Sequence, residues 1–312
     1  MNIQQLEYIL AVEEHRHFVR AAEACNITQP TLSAMIQKLE EELGLLIFDR
    51  SRQPVMATEE GDRILEQARV IIQEVHRLHD IASEKGEALQ GSLKLGIIPT
   101  LAPYLLPLFL KQFTETHPKV NLTVQELNTD EILRRLERNE IDAGLLATPT
   151  KRIGFDELPV FYEKFLVYAG RGRAMPNKQF LLADDIDLDH LWLLEEGHCL
   201  RTQVIRLCEL KKQKAPKQGL QYASGSIDAL IRMVDTYQGI TILPELAVLD
   251  WDKQRRTHLH LFADPVPERE ISIVRIRKQH KKKIVDELSR SILENLPDDI
   301  ARGKSGAIIP IV

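Results

Sequence analysis

The chain has 312 residues, of which 44% are hydrophobic and 28% are charged, and its formal net charge is −5. This length and apolar content are sufficient for two or three domains with hydrophobic cores. There is no basic segment followed by an apolar export core, and no run of about 18 apolar residues that could span a membrane, so we expect a cytoplasmic protein. The negative charge argues mildly against a nucleic-acid-binding protein, because such proteins usually carry a basic excess.

Helical periodicity opens the chain, with three successive apolar faces. The apolar positions are Leu6, Ile9 and Leu10 in the first, Phe18, Ala21 and Ala22 in the second, and Leu32, Ile36, Leu39 and Leu43 in the third. Thr28 is a suitable N-cap and Pro30 a suitable first-turn residue, so the third helix should begin near Gln29. We predict a small three-helix bundle.

The outward face of the third helix carries amide, hydroxyl and small side chains with one cation. Such side chains suit the major groove of DNA, where amides pair with base edges and hydroxyls with phosphates. The candidate contacts are Gln29, Pro30, Thr31, Ser33, Ala34, Gln37 and Lys38. A generic bundle whose third helix is simply polar outside is an equally good interpretation of this composition.

The string AAEACNITQPTLSAMIQKLEEELGLLIFDR, followed by ATEEG, resembles the winged helix-turn-helix domain of LysR-type transcriptional regulators. The resemblance implies that the third helix enters the major groove of double-stranded promoter DNA. It also implies a wing formed by a strand pair between Phe48 and Ala57, in which Arg50 and Arg52 contact the DNA backbone or minor groove. Because acidic residues outnumber basic ones in residues 1–60, binding would rely on a local cationic face.

One long helix should follow, since no proline lies between Thr58 and Lys85 and the only glycine is Gly61. Apolar residues at alternating steps of four and three form a seam typical of a helix that packs against another. The seam consists of Ile64, Ala68, Ile71, Val75, Leu78 and Ala82. A helix lying on its own domain is the alternative, whereas the family resemblance implies a dimerising linker.

From Leu93 onward, strands alternate with helices, which is typical of parallel α/β units. The predicted strands are KLGII, VNLTVQEL, IDAGLLA, LWLLEE, LQYAS, GITILP and EISIVRI, and the predicted helices cover 104–116, ILRRLERNE and 227–237. Ligands of such sheets bind beyond the carboxyl ends of strands, which predicts one cleft near Thr100, Thr129 and residues 196–199.

The two α/β halves, joined by crossing segments near 160–168 and 264–273, resemble the effector domain of LysR-type regulators. The resemblance implies an all-α winged helix-turn-helix domain with a long linker helix, followed by an α/β two-lobed regulatory domain like the periplasmic binding proteins. The predicted boundaries are 1–58 for the DNA-binding domain, 59–88 for the linker helix, 89–300 for the regulatory domain and 301–312 for a C-terminal tail.

The segment GHCLRTQVIRLC holds two of only three cysteines. A cytosolic disulfide is usually transient, catalytic or sensory. Cys199 is predicted at the N-terminus of a helix, where the dipole and Arg201 favour the thiolate. Cys208 is predicted beside an apolar face, where burial raises the pKa of a thiol.

A helix over residues 199–208 would place the two cysteine Cα atoms about 13 Å apart, whereas a disulfide requires less than about 7 Å. Joining the sulfurs would therefore unwind the helix. The alternative, which the spacing alone favours, is a pair of ordinary buried cysteines.

LGIIPT, Thr129, EEGHCLR with a cysteine nine positions on, and GITILP resemble the peroxide-sensing members of the LysR family. The resemblance implies oxidation of Cys199 by hydrogen peroxide, a reversible disulfide with Cys208, and peroxide binding by Thr100, Thr129 and His198. It implies control of oxidative-stress genes by a dimer or tetramer, resetting by a thiol reductant and contact with RNA polymerase.

Two positions depart from the pattern of the peroxide-sensing members. Thr202 stands where their motif has an acid, and Ile231 stands where an arginine is expected, with Arg232 one place on.

The motifs of an enzyme are missing from the sequence: it has no Gly-rich phosphate loop, no GxSxG and no His/Cys zinc spacing. We therefore expect no catalysis, metal or cofactor, and we interpret His258 and His260 as a polar strand face. Two alternatives stay open. One is a LysR-type regulator that responds to a small metabolite in the cleft, and the other is a thiol peroxidase, against which the winged helix argues.

Overall fold

The computed structural model describes residues 1–83, 89–176, 178–208, 225–277, 281–301 and 306–311. The chain divides into two compact units, Met1–Glu87 with Arg138–Glu140, and Ala88–Glu137 with Ile141–Val312. Among the described residues, no helix is both long enough and apolar enough to cross a membrane.

The first unit begins with three helices and a two-stranded wing, which confirms the prediction from periodicity and resemblance. These elements are α1 (Ile3–His15), α2 (Phe18–Ala24), α3 (Gln29–Leu43), β1 (Phe48–Asp49) and β2 (Met56–Ala57). The Thr28 side chain caps α3 by accepting a hydrogen bond from the backbone N–H of Thr31, as predicted. Gly44 ends that helix with a φ of 70°, which glycine adopts without strain.

Glu40 connects the third helix to the wing. Its side chain is buried, and Oε1 accepts hydrogen bonds from the backbone N–H groups of Ile47 at 2.8 Å and Phe48 at 3.2 Å. Oε2 forms an ion pair with Nη2 of Arg50 at 2.8 Å. One buried carboxylate therefore satisfies two backbone donors and one cation, and it fixes the point at which β1 follows α3.

The long helix α4 (Glu59–Ser83) packs its first half against the core of its own helical domain. The residues in this contact include Ile64, Leu65, Ala68 and Ile71. Further along the helix, Leu78 is 70% exposed, and the side chain of Ala82 lies outside the described residues. The first half of the predicted seam therefore belongs to the core of the domain, and Leu78 in the second half is exposed. The sequence does not separate the two halves, because a stripe that faces a domain's own core has nearly the same spacing as a dimer seam.

The second unit alternates strands and helices, as the sequence predicts. Its elements are β3 (Gly91–Ile97), α5 (Ala102–Thr116), β4 (Val120–Glu126), α6 (Thr129–Glu137), β5 (Ala143–Thr148), β6 (Phe155–Ala169), β7 (Phe180–Leu181), α7 (Cys199–Leu207), α8 (Ile227–Thr236), β8 (Ile240–Pro244), α9 (Lys253–Arg256), β9 (Leu259–Phe262), β10 (Pro267–Ile276), α10 (Lys282–Asn295), α11 (Asp298–Ala301) and β11 (Ala307–Ile308). The strand order is β4-β3-β5-β10-β6-β9-β7, with β8 also paired to β6 and β11 to β10.

Strand β6 joins two lobes, each of which has its own hydrophobic core. Residues 155–164 pair with β10 in the first lobe, and residues 165–169 pair with β8 and β9 in the second. The first core includes Leu95, Phe109 and Ile273, and the second includes Leu230 and Ile242. The crossing predicted near 160–168 is confirmed, and residues 263–266 return the chain from β9 to β10.

The predicted strand LWLLEE is wrong. Between Leu191 and Glu196 only Leu191 forms a β-bridge, to Ile240. The carbonyls of Trp192 and Leu194 accept side-chain hydrogen bonds from Thr241 and Arg201 instead of joining a ladder. The chain then turns at Gly197, whose φ is 93°, and begins α7 two residues later. The other predicted strand in this region, LQYAS at 220–224, lies outside the described residues.

Residues 306–311 belong to the regulatory fold, which corrects the expectation of a C-terminal tail over 301–312. Strand β11 pairs in parallel with β10, and Ile311 is buried in the core of the first lobe. A two-residue strand has no periodicity that a sequence can reveal, and its partner strand is some forty positions away in the chain.

We expect Glu40→Ala to lower the free energy of unfolding of the DNA-binding domain by about 2 to 4 kcal/mol, because two buried backbone N–H groups lose their acceptor. Chemical denaturation followed by circular dichroism measures the change. The matched control is Glu41→Ala, which removes an exposed carboxylate from the same helix and should cost about 0.5 kcal/mol or less. Equal effects of the two variants would contradict the role of Glu40.

Candidate thiol switch and DNA-binding face

Cys199 begins helix α7 and lies where the two lobes meet. Its side chain is buried in the core of the first lobe, whereas Leu200 and Val204 of the same helix are buried in the core of the second. The helix therefore contributes to both cores, and a change in its conformation alters both lobes together.

A cation that sequence reasoning missed acts on Cys199. Arg269 of β10 is fully buried, and its positive charge opposes the rise in the pKa of the Cys199 thiol that burial causes. The predicted cation was Arg201, but its Nη1 donates a hydrogen bond to the carbonyl of Leu194 at 2.6 Å. The predicted strand began at Glu270 and left Arg269 outside it, and an apolar pattern does not reveal a charged side chain that points inward.

A buried network holds Arg269 in place. Its Nε donates to Oε1 of Glu163 at 2.6 Å, and both side chains are fully buried. Nη1 donates to the hydroxyl of Thr100 and Nη2 to the carbonyl of the same residue, each at 3.2 Å. Glu163 Oε2 accepts a hydrogen bond from the backbone N–H of Leu246 at 3.1 Å. These contacts provide the hydrogen bonds that a buried ion pair needs.

Burial raises the pKa of the Cys199 thiol, and the groups around the sulfur oppose this effect. The opposing groups are Arg269, the hydroxyl of Thr129 and the backbone N–H groups of Leu200 and Ala147. The expectation that the helix dipole and Arg201 favour the thiolate is therefore wrong, because the sulfur lies too deep in the fold. The resting sulfur is a thiol surrounded by groups that stabilise a negative charge.

The predicted peroxide contacts Thr100 and Thr129 lie in this environment. The Thr100 hydroxyl accepts the bond from Arg269, and the buried Thr129 hydroxyl acts on the sulfur and has no oxygen or nitrogen partner among the described residues. His198 is buried directly before Cys199, with its Nε2 3.6 Å from Oε1 of Glu195. The structure thus brings Thr129 to the thiol and Thr100 to the guanidinium that acts on it, and it places His198 near Glu195 in the preceding loop.

Cys208 follows the last residue of α7 and is half-buried against the core of the second lobe. Burial raises the pKa of its thiol to about 11. Both thiols are free, and the predicted helix between them is confirmed over Cys199–Leu207. At about 1.5 Å per residue the two Cα atoms are about 13 Å apart, which is too far for a disulfide.

The second departure from the family pattern now has a structural account. Ile231 is buried in the core of the second lobe, whereas Arg232 is exposed on the same helix. One residue along a helix is a rotation of about 100°, so Arg232 does not occupy the position of the expected arginine.

The predicted DNA contacts on α3 lie on its exposed side. Gln29, Pro30, Thr31, Ala34, Gln37 and Lys38 are exposed, and Ser33 is half-buried. Gln37 donates a hydrogen bond to Oε1 of Glu41 at 3.0 Å. The surface is available for a ligand, and the assignment of these residues to DNA stays a prediction.

The two wing arginines differ in how firmly they are held. Arg50 donates to the hydroxyl of Ser33 at 3.2 Å, pairs with Glu40 and lies 5.2 Å above the ring of Phe18. Arg52 is 67% exposed and pairs with the neighbouring Asp49 at 3.0 Å. Arg50 thus has a structural role in the domain, and contact of either arginine with DNA stays a prediction.

His258 and His260 are half-buried at strand β9. Burial lowers the pKa of His260, and the nearby His258 adds to this effect. Within the described ranges, no group of three or more His, Cys, Asp or Glu side chains is arranged to hold a metal ion.

We expect the double variant Arg269→Gln/Glu163→Gln to raise the pKa of Cys199 further, because the cation is lost and no unpaired charge is left behind. The thiolate is the reactive form, so the rate of oxidation by peroxide rises with pH toward this pKa. At pH 7 the rate should fall about tenfold, the effect of one pKa unit. Stopped-flow kinetics in a Cys208→Ser background measure it.

The control for this experiment is Arg201→Gln, which leaves the buried ion pair in place and should change the rate little. A larger loss for Arg201→Gln than for the double variant would restore the prediction made from the sequence and contradict the role of Arg269.

Comparison with known proteins agrees with this architecture. The lysR family of bacterial regulatory helix-turn-helix proteins matches residues 3–62, and the LysR substrate binding domain matches residues 86–297. The chain is 34% identical over 303 residues to a hydrogen peroxide-inducible genes activator of Haemophilus influenzae, covering 95% of this chain and 100% of that protein. It is 36% identical over 274 residues to the DNA-binding transcriptional dual regulator OxyR of Escherichia coli, covering 88% and 89%.

Solved structures give the same result. A full-length OxyR mutant from Pseudomonas aeruginosa is similar with a TM-score of 0.77 and 31% identity, covering 94% of this chain and 97% of that one. An H2O2-bound OxyR mutant from Corynebacterium glutamicum is similar with a TM-score of 0.60 and 27% identity, covering 93% and 91%. The chain therefore belongs to the LysR family of bacterial transcriptional regulators and, within it, to the hydrogen peroxide-inducible genes activators.

Proposed function

We propose that this transcriptional regulator of the peroxide response senses hydrogen peroxide at Cys199 and records it as a reversible disulfide with Cys208. The observation that carries the proposal is the environment of Cys199. Its thiol is buried at the junction of two lobes, where a fixed guanidinium and the buried hydroxyl of Thr129 act on it. That hydroxyl has no oxygen or nitrogen partner among the described residues.

Burial of the sulfur favours a small oxidant over a bulky one. Hydrogen peroxide both donates and accepts hydrogen bonds, so the hydroxyl groups of Thr100 and Thr129 are suited to orient it. The family resemblance assigns His198 to the same task. Arg269 would stabilise the negative charge that forms on the sulfur and on the departing oxygen, because a buried cation acts strongly at short range.

The chemistry proceeds in two balanced steps. The Cys199 sulfur attacks one peroxide oxygen, the O–O bond breaks, and the departing hydroxide takes the thiol proton to form water and a sulfenic acid. The Cys208 sulfur then attacks the sulfenic sulfur and displaces hydroxide, which takes the second thiol proton to form water. A thiol reductant resets the pair by returning two electrons through disulfide exchange.

The disulfide must remodel the domain. Closing a Cα separation of about 13 Å to less than about 7 Å requires α7 to unwind. Since Leu200 and Val204 of that helix are buried in the second lobe and Cys199 in the first, the change draws side chains from both cores. A chemical event at one sulfur therefore becomes a conformational change of the regulatory domain.

The family binds DNA and forms oligomers, and we propose how this chain does so. The third helix α3 would enter the major groove, and the exposed part of α4 that carries Leu78 would support a dimer, with a tetramer as the complete assembly. We place the regulator in the cytoplasm, in contact with RNA polymerase. We propose the boundaries 1–58 for the DNA-binding domain and 59–88 for the linker helix, with a regulatory domain that begins at 89, includes the C-terminal strand and is built like the periplasmic binding proteins.

We expect Cys199→Ser to abolish the change in the promoter footprint that peroxide causes in the wild-type protein, because the oxidised sulfur is lost. Cys208→Ser should stop at a sulfenic acid that a dimedone-type reagent captures, and no disulfide should form. Footprinting and mass spectrometry of the same samples measure both outcomes.

The matched control is Cys25→Ser, which removes the third cysteine from the DNA-binding unit and should leave the response intact. A Cys199→Ser protein that still changed its footprint with peroxide would contradict the proposal and favour a metabolite-responsive regulator. Repeated peroxide turnover with a reductase would instead favour a thiol peroxidase.

The proposed DNA face makes a separate prediction. Gln29→Ala should weaken binding to the operator by about 1 to 3 kcal/mol and leave binding to unrelated DNA unchanged, as expected for a base contact. Lys38→Gln should weaken both and reduce the slope of log affinity against log salt by about 0.9 for each subunit that contacts the DNA, as expected for a phosphate contact. Titrations at several salt concentrations measure both, and identical behaviour of the two variants would contradict the assignment.

A further inference from the structure

The C-terminal strand contacts the two parts of the fold that control Cys199. The backbone N–H of Ala307 donates a hydrogen bond at 2.8 Å to the carbonyl of Val266, which directly precedes β10, and that of Ile309 donates one at 2.8 Å to the carbonyl of Glu268 in β10. These bonds lie at the start of the strand that carries Arg269. The end of the chain is therefore attached directly beside the cation that acts on the sulfur.

Gln203 joins the same strand to the helix of Cys199. Its side chain is fully buried, and its Nε2 donates a hydrogen bond to the carbonyl of Ile309 at 2.6 Å. Gln203 lies four residues after Cys199 on α7, so the two side chains lie on the same face of the helix. The C-terminal strand thus bridges β10 and the face of α7 that carries the reactive thiol.

Apolar contacts make the same bridge. Ile309 packs against the core of the second lobe, and Ile311 is buried in the core of the first. Directly before the strand, the backbone at Gly306 packs closely against the backbone of Val266, since a Cβ atom at Gly306 would lie 2.0 Å from the carbonyl oxygen of Val266. Only a glycine permits this approach.

We infer that Gln203 and residues 306–311 form a clamp that positions Cys199 in the thiol form and opens when the disulfide forms. Gln203 lies between the two cysteines, so unwinding α7 removes it from the carbonyl of Ile309. Formation of the disulfide therefore breaks the contacts of the clamp. For this reason the clamp stabilises the reduced protein relative to the oxidised one. Gln203 is a positioning residue, and it takes no part in the chemistry at the sulfur.

This inference rests on the proposed Cys199–Cys208 disulfide, and hydrogen exchange tests it in the wild-type protein. The amide hydrogens of Ala307 and Ile309 should exchange at least about tenfold faster in the oxidised protein than in the reduced one. Strand β4 (Val120–Glu126), which pairs with β3, is the internal control and should not change. The disulfide is mapped by mass spectrometry in the same samples.

Two variants test the clamp from its two sides. Gln203→Leu removes the donor to the carbonyl of Ile309 and keeps a side chain of similar size in the buried site, and Gly306→Ala displaces the strand without touching α7. Each should favour the disulfide in a glutathione redox buffer by about tenfold, which is about 30 mV for a two-electron couple. Arg206→Leu, which makes the corresponding change at an exposed position of α7, should leave the potential unchanged.

The outcomes separate the two proposals. If the disulfide forms but the C-terminal amides keep their protection, or if neither variant shifts the potential, the clamp is wrong and the proposed function stands. If no Cys199–Cys208 disulfide forms in the oxidised wild-type protein, the proposed function itself fails, and the clamp as a redox element fails with it.

Discussion

The buried ion pair between Arg269 and Glu163 is the interaction on which the thiol site depends. Removing two charges from water costs several kcal/mol for each ion, and attraction repays this only when further hydrogen bonds complete the site. Thr100 and the backbone N–H of Leu246 supply them. The pair joins the strands β6 and β10 to the loop before α5, so the position of the guanidinium next to Cys199 is a property of the whole first lobe.

The ion pair with Glu163 also limits the effect of Arg269 on the pKa of Cys199. Because a carboxylate already compensates Arg269, its charge lowers the pKa of Cys199 without overcoming the effect of burial. Depth in the fold excludes bulky oxidants and keeps the sulfur protonated at rest, while the surrounding donors stabilise negative charge as it forms. Burial of the sulfur therefore increases its selectivity for small oxidants and, because it keeps the thiol protonated, decreases its reactivity.

The sequence predicts those parts of the fold that depend on local chemistry. Thr28 and Pro30 locate the start of α3, and the alternation of strands and helices predicts the regulatory architecture. The sequence does not reveal contacts between distant segments. Arg269 lies in a run of charged residues, and nothing in the neighbouring sequence indicates that its side chain is the one that points into the core. The first half of α4 was open to two interpretations, because facing its own core and facing a partner require the same spacing.

Helix α7 couples the packing of the two lobes to the thiol–disulfide equilibrium of the two cysteines. Unwinding it exposes apolar side chains such as Leu200 and Val204, each of which contributes about 1.5 to 3 kcal/mol when fully buried. That cost opposes the disulfide and favours its reduction. The equilibrium between thiol and disulfide is therefore set by the packing around α7 as well as by the sulfur chemistry, and a substitution in either core can change the peroxide response without touching a cysteine.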